Sequence, residues 1–166
     1  MSKPFFRDEE ASDGFSPAPE VVVDFMRVAD INPVWAIEKL SFSAPWSKSA
    51  FHSELLENDK AVYLVARLGR QIVGYIGMWI VLDEGHITNL AVHPNYRGRG
   101  IGRQLLQAMA ELGKMRGVRR LTLEVRISNI VAQQLYVKMG FVASGIRPRY
   151  YHDNNEDALI MWKENL

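Results

Sequence analysis

Three glycines alternate with basic residues in the stretch Arg97-Gly98-Arg99-Gly100-Ile101-Gly102-Arg103. The stretch follows an apolar run, Leu90-Ala91-Val92, and a short loop, His93–Tyr96. Glycines at these positions let backbone N–H groups crowd around an anion without interference from Cβ atoms. The helix predicted to follow contributes unpaired N–H groups and the positive end of its dipole. Arg97, Arg99 and Arg103 add charge, so the chemistry on offer is the cradling of a pyrophosphate. A P-loop requires Lys followed by Ser or Thr after its last glycine, and here Ile101 and Gly102 lead into Arg103. A dinucleotide fingerprint requires its third glycine where this chain has Arg103, directly after a strand with no loop between.

The elements that must hold this turn follow from periodicity. Ile101, Leu105, Ala108, Met109 and Leu112 keep one face of a helix that Gly117 stops. Upstream, Val21–Met26 reads as a strand, Asp30 as a cap for a helix to about Phe42, and Ser47 as the cap of a second helix carrying Phe51 and Leu55. Ala61–Arg67, Ile72–Leu82 and His86–Val92 read as strands, with turns at Leu68–Gln71 and Asp83–Gly85. Gly74 and Gly77 suggest bulging or close backbone approach. Downstream, Val118–Val125 alternates as a strand, and Asn129 caps a helix with Ala132, Leu135, Tyr136 and Met139 on one face, closed by Gly140. Phe141–Ile146 and Ala158–Trp162 read as strands around a polar loop, Arg147–Asp157. This order defines one α/β layered domain, residues 21–166, with a largely antiparallel first half. Residues 1–20 read as a flexible tail.

Composition narrows the function. The 166 residues are 48% hydrophobic and 23% charged with formal net charge +1, the balance of a soluble globular domain. Absence of cysteine excludes disulfides, thiolate metal sites and a cysteine nucleophile. The longest apolar stretch, Ile72–Leu82, is 11 residues, against roughly 20 needed to span a bilayer. With no apolar run at the N-terminus, a cytoplasmic location is expected. Charge is unevenly placed: residues 1–20 sum to −3, whereas residues 97–126 hold eight basic side chains against Glu111 and Glu124. An excess confined to one segment suits a small polyphosphate better than a nucleic acid. His52, His86, His93 and His152 show no metal-ligand spacing, so no metal is expected.

Arg97-x-x-Gly100-x-Gly102, opening a helix after a strand and short loop, resembles the acetyl-CoA motif of the GNAT acetyltransferases. Pro45-Trp46-Ser47, Leu123-Glu124-Val125-Arg126, Ser128-Asn129, Leu135-Tyr136, Gly140-Phe141, Arg147-x-Arg149-Tyr150-Tyr151 and Glu156-Asp157-Ala158 resemble the ribosomal-protein alanine N-acetyltransferase branch. The likeness runs over about residues 21–166. It implies a mixed, mostly antiparallel sheet of six or seven strands flanked by about four helices. It further implies that Leu90, Ala91 and Val92 line the acetyl-pantetheine arm, that Gly98–Arg103 hold the pyrophosphate, and that Asn129 contacts the cofactor. Under the same resemblance Glu124 is the general base, Tyr136 the general acid, and Trp46, Arg149, Tyr150 and Tyr151 wall the peptide groove. A peptide α-amine has a pKa near ~8 and must lose a proton before attack. A tyrosine hydroxyl can protonate the departing thiolate, and backbone N–H groups near Val92 can stabilise the oxyanion. The expected activity is acetyl transfer from acetyl-CoA to a protein N-terminus, by resemblance an alanine-starting small-subunit ribosomal protein. A small-amine acetyltransferase and a non-catalytic acyl-CoA-binding module are the alternatives.

Overall fold

The computed structural model describes residues 19–166. The expected tail therefore lies outside the described residues except for Pro19 and Glu20, both exposed. Strand β1 (Val21–Phe25) is followed by helices α1 (Ile31–Ser41) and α2 (Lys48–Leu56), then by β2 (Ala61–Leu68), β3 (Gln71–Val81) and β4 (Glu84–Val92). Helix α3 (Ile101–Met115), β5 (Arg120–Arg126), α4 (Ile130–Lys138), β6 (Val142–Tyr151) and β7 (Glu156–Lys163) complete the chain. The strands form one seven-stranded sheet in the order β1-β2-β3-β4-β5-β7-β6. All neighbours are antiparallel except β4 and β5. The expected mixed α/β architecture is the one observed.

Each face of the sheet has its own core. Under α3, Ile101, Leu105, Leu106 and Met109 pack on Ile76, Met78, Leu121 and Leu123. Burying side chains of this size contributes about 1.5–3 kcal/mol each. On the other face α1 and α2 bring Ile31, Val34, Ile37 and Phe51 onto Tyr63, Val65 and Tyr75. Phe51 stands edge-on to Tyr75 with ring centroids 5.8 Å apart. Glu38 of α1 is buried among these residues, takes a hydrogen bond from the Trp46 N–H at 3.1 Å and contacts the Tyr75 hydroxyl. Burial pushes its carboxyl up to about 7, against the opposing pull of the Trp46 N–H.

Three local expectations are corrected. Asp30 makes no cap bond to α1. It is the last residue of a short 3₁₀ turn, and its carboxylate takes Arg67 in a two-point pair at 3.0 and 2.6 Å. The β3–β4 turn is Leu82–Asp83, one step earlier than Asp83–Gly85, because Val81 pairs with Glu84. The polar stretch 147–157 is largely strand: β6 runs to Tyr151 and β7 begins at Glu156. Its polarity is satisfied by long-range partners, with Arg126 reaching Asp153 at 2.9 Å and Glu156 at 3.2 Å. The caps at Ser47 and Asn129 form as expected, accepting from the N–H groups of Ala50 and Ala132 at 3.1 Å each.

Candidate active site

The parallel pair is short. β4 and β5 meet only at Glu84–Arg120, Gly85–Leu121 and His86–Thr122. Beyond His86 the strands diverge, and Leu90, Ala91 and Val92 pair only with β3, through Ile76, Tyr75 and Gly74. A wedge thus opens with one backbone edge of β4 unpaired along it. A bulge opposite Gly77 and Met78 sets the facing of β4, so that His86, Asn89 and Ala91 lie opposite Trp79, Gly77 and Tyr75. A Cβ at Gly77 would lie within 2.6 Å of both the Tyr63 ring and the Asn89 side-chain oxygen, so a larger residue would push these side chains aside.

The glycine turn closes one end of the wedge. Gly98 and Gly100 adopt φ of +77° and +78°, left-handed values that other residues adopt only under strain. Gly100 is the N-cap of α3, and the N–H of Gln104 is bonded to its carbonyl at 3.0 Å. The N–H groups of Ile101, Gly102 and Arg103 precede that first helical bond and are available to an anion. Arg99 lies over the Tyr96 ring at 5.2 Å, and Arg103 is exposed. Arg97 is engaged elsewhere: its Nε donates to the Val92 carbonyl at 2.8 Å and its Nη2 to Ser41 Oγ at 3.2 Å, joining the end of β4 to α1. Asn129 spends its side-chain oxygen on capping α4. These free donors and positive-φ glycines suit a pyrophosphate.

Glu124 occupies the sheet face that looks toward α1 and α2, since Leu121, Leu123 and Val125 of β5 are buried on the other face. Its side chain is 9% exposed and held at both oxygens. His86 Nε2 meets Oε2 at 2.5 Å, and Arg147 Nε donates to Oε1 at 3.2 Å. Burial alone would lift this carboxyl, but the hydrogen bond and charge of His86 and the charge of Arg147 hold it below the ordinary value. Both partners escape notice in the sequence. His86 sits 38 residues from Glu124 and Arg147 sits 23 residues away, and neither separation is a local motif.

Tyr136 packs against Phe141 in the α3 core, and burial pushes its hydroxyl up to about 12. It remains protonated across the physiological range. Tyr151 is raised by burial, by Tyr150, and further by Glu124 and Tyr136, so its hydroxyl lies in the field of both expected catalytic groups. Arg126 lies over the Tyr151 ring at 4.0 Å. Tyr150 is raised by burial and by Glu124. The β6–β7 turn meets the α1–α2 loop where Asp153 contacts Ser43, so the two segments arch over the face bearing Glu124. Trp46, in that same loop, packs on Phe51 with centroids 5.5 Å apart. Arg149 is exposed at φ +50°, its N–H bonded to Asp157 at 2.8 Å. The basic residue the structure brings to Glu124 is Arg147. Among the described residues, no group of three or more His, Cys, Asp or Glu side chains could hold a metal, and no helix is long and apolar enough to cross a membrane.

A glycine cradle at the end of a splayed parallel pair, with a free strand edge and the first N–H groups of a helix at hand, is the frame of an acyl-CoA-dependent transferase. The chain belongs to the acetyltransferase (GNAT) family, whose model matches residues 31–141. It is 52% identical over 137 residues to a Bacillus subtilis (strain 168) protein provisionally named a ribosomal protein bS18-alanine N-acetyltransferase, covering 82% of this chain and 91% of that one. It is 36% identical over 143 residues to the Escherichia coli K12 protein of that name, covering 84% and 94%. The crystal structure of the ribosomal-protein-S18-alanine N-acetyltransferase from Escherichia coli superposes with a TM-score of 0.80 at 32% identity, covering 88% and 94%. GNAT acetyltransferases take their acetyl group from acetyl-CoA, and this chain is an acetyltransferase of that kind.

Proposed function

We propose that the protein transfers acetyl from acetyl-CoA to the α-amine of a protein N-terminus, with an alanine-starting small-subunit ribosomal protein as acceptor. The observation that carries the reading is Glu124, ionised between His86 and Arg147 beside the wedge and beneath the arch of Ser43 and Asp153. The names of the Escherichia coli and Bacillus subtilis relatives supply the ribosomal acceptor. A cytoplasmic location accords with such an acceptor.

Gly98, Gly100 and the first N–H groups of α3, with Arg99 and Arg103, hold the pyrophosphate. The free edge of Leu90, Ala91 and Val92 takes the pantetheine arm as a strand would be taken, and Asn129 lies at the far wall. Only about one tenth of an α-amine with pKa near ~8 is neutral at pH 7. The neutral form attacks the thioester carbon, and Glu124 accepts the proton that the nitrogen sheds as the C–N bond forms. The N–H groups at the splayed end of β4 face the carbonyl oxygen as it gains charge. Tyr136, kept protonated by burial, gives its proton to the departing thiolate sulfur. Trp46, Arg149, Tyr150 and Tyr151 wall the acceptor groove.

The deciding experiment offers acetyl-CoA with peptides that differ in their first residues, alongside free lysine and a polyamine. Turnover confined to alanine-starting peptides is the expected result. Transfer only to the amine controls would make the protein a small-amine acetyltransferase. Acetyl-CoA binding with no transfer to any of these acceptors would leave the cofactor cradle standing and overturn the acceptor assignment.

A further inference from the structure

Arg147 stands in an unusual position for a residue that merely neutralises a carboxylate. It projects from β6, the edge strand, and crosses β7 diagonally: its register partner is Ala158, which pairs on β5 with Arg126, whereas Glu124 lies opposite Ile160. Only Nε is used: it donates to Glu124 Oε1 at 3.2 Å, and among the described residues the two Nη groups make no hydrogen bond. The side chain is 54% exposed, and a guanidinium so placed is open to a second partner. Tyr150 lies in the field of both Glu124 and Arg147.

A guanidinium presents its N–H groups as a rigid fork, with Nε and Nη directed to the same side about 2.3 Å apart. When Nε is fixed on a carboxylate, the adjacent N–H groups are aimed at a second acceptor next to that carboxylate. In a peptide N-terminus the first carbonyl oxygen lies about 3 Å from the α-amine nitrogen, separated from it by Cα and the carbonyl carbon. One arginine can therefore hold the base and the carbonyl together and so place the α-amine at Glu124. We propose that Arg147 is an acceptor-recognition residue whose free Nη groups bind the carbonyl of the acceptor's first residue. The ligand class it selects is an α-amino acyl group, as opposed to an amine with no neighbouring carbonyl. This rests on the N-terminal acetyltransferase reading and gives it a specificity element outside the glycine cradle and the base.

The test separates the carbonyl contact from the shared service to Glu124. Replacement of Arg147 weakens support of the base for every acceptor equally, whereas loss of the carbonyl contact penalises peptides alone. The full-length protein, Arg147→Gln and Arg147→Lys are each loaded with CoA and titrated calorimetrically with an alanine-starting peptide and with 2-aminobutane, which lacks the carbonyl. Values of kcat/KM follow with acetyl-CoA. In Arg147→Gln, peptide Kd is expected to rise about ten-fold or more, as for loss of a hydrogen bond to a charged group, while the amine changes less than about three-fold. Arg147→Lys keeps the charge beside Glu124 but not the fork, so it should recover the part common to both acceptors and leave the peptide penalty. Thermal melts confirm that each variant is folded. Equal losses for peptide and amine in Arg147→Gln would overturn the proposal and leave Arg147 as a partner of the base. Parental protein that binds and acetylates only the amine would instead overturn the N-terminal reading itself.

Discussion

Glu124→Gln is the sharpest test of the chemistry, because the environment of this carboxylate sets both the size and the pH behaviour of the effect. A positioned general base contributes typically 10²–10⁴-fold. Here the base is weakened: His86 at 2.5 Å and Arg147 at 3.2 Å hold its carboxyl below the ordinary value despite burial. A weaker base takes less of the proton in the transition state, so the expected loss in kcat/KM for the peptide is about 10²-fold, or roughly 2.7 kcal/mol. The substitution also carries a structural cost. Glutamine has one acceptor oxygen where Glu124 offers two, so its amide either faces Arg147 donor to donor or faces His86, whose Nε2 must then turn to the accepting tautomer. A melt should therefore register about 1–3 kcal/mol of lost stability, which must be separated from the kinetic loss by assaying well below the transition. Steady-state acetyl transfer followed by thiol release provides the rate, and titration provides the acetyl-CoA Kd, expected within about two-fold of the parent because the cradle is untouched. The pH profile is the stricter criterion. Glu124 is already ionised above the ordinary carboxylate range, so the rising limb of kcat/KM belongs to the acceptor amine near ~8. Parent and variant should show that same limb, offset vertically. A variant that matches the parental rate would refute Glu124 as the base, whereas a parental limb near pH 5–6 that vanishes in the variant would refute the depressed carboxyl argued here.

Three further outcomes follow from the described geometry. Tyr136→Phe should lower kcat about ten-fold or more while acetyl-CoA Kd stays near parental, and the parent should show no basic limb from this hydroxyl below about pH 11, because burial raises it to about 12; rapid-mixing kinetics across pH check both. Gly100→Ala puts a Cβ into open space but at φ +78°, so it should cost about 1–2 kcal/mol by thermal melt from backbone strain alone and should weaken acetyl-CoA binding as the first N–H groups of α3 turn away. Glu38 is raised from 4.5 to about 7, so the folded state holds its proton more tightly than the unfolded chain. That contribution is complete below pH 4.5 and is lost as pH rises to 7, at most about 3 kcal/mol; Glu38→Gln should flatten this slope in denaturant melts at pH 5 and pH 8, and an unchanged slope would refute the assignment.

The elements of this fold were legible wherever the signal was local. The α3 stripe from Ile101 to Leu112, the caps at Ser47 and Asn129, and the alternation of β5 all formed as the residues indicate. Local reading misled where a side chain answers to a distant partner. Asp30 has the type and place of a helix cap, yet Arg67, 37 residues on, claims its carboxylate. The stretch 147–157 is polar enough to read as a loop, but Arg126 gathers Asp153 and Glu156, and the backbone then completes a hairpin. Arg97 reads from its neighbours alone as charge for the pyrophosphate, and no local spacing shows that its guanidinium also joins Val92 to Ser41. Glu124 and Tyr136 were nameable only by resemblance. Nothing in the spacing of Leu123-Glu124-Val125 reveals that His86 and Arg147 converge on it across strand pairings that only the folded sheet creates.

The site lies where it does because of the one parallel pairing. In an otherwise antiparallel sheet, consecutive strands return beside one another through tight turns such as Leu82–Asp83, and no cleft opens between them. A parallel pair requires a crossover, here α3, and its two strands end at the same side of the sheet. Both β4 and β5 then lead into helices that start at that side, α3 capped by Gly100 and α4 by Asn129. Two helix N-termini and two strand ends thus converge on one crevice, the arrangement in which open α/β sheets bind their ligands. Because pairing stops at His86 and Thr122, the crevice passes between the strands and is not confined to the rim. Glu124 lies on one face of this sheet and Tyr136 packs in the core of the other, so under the proposed mechanism a passage between the strands is what brings both to one thioester. An added pairing of Asn89 or Leu90 with β5 would close that passage, and the two groups would then serve separate surfaces of the sheet.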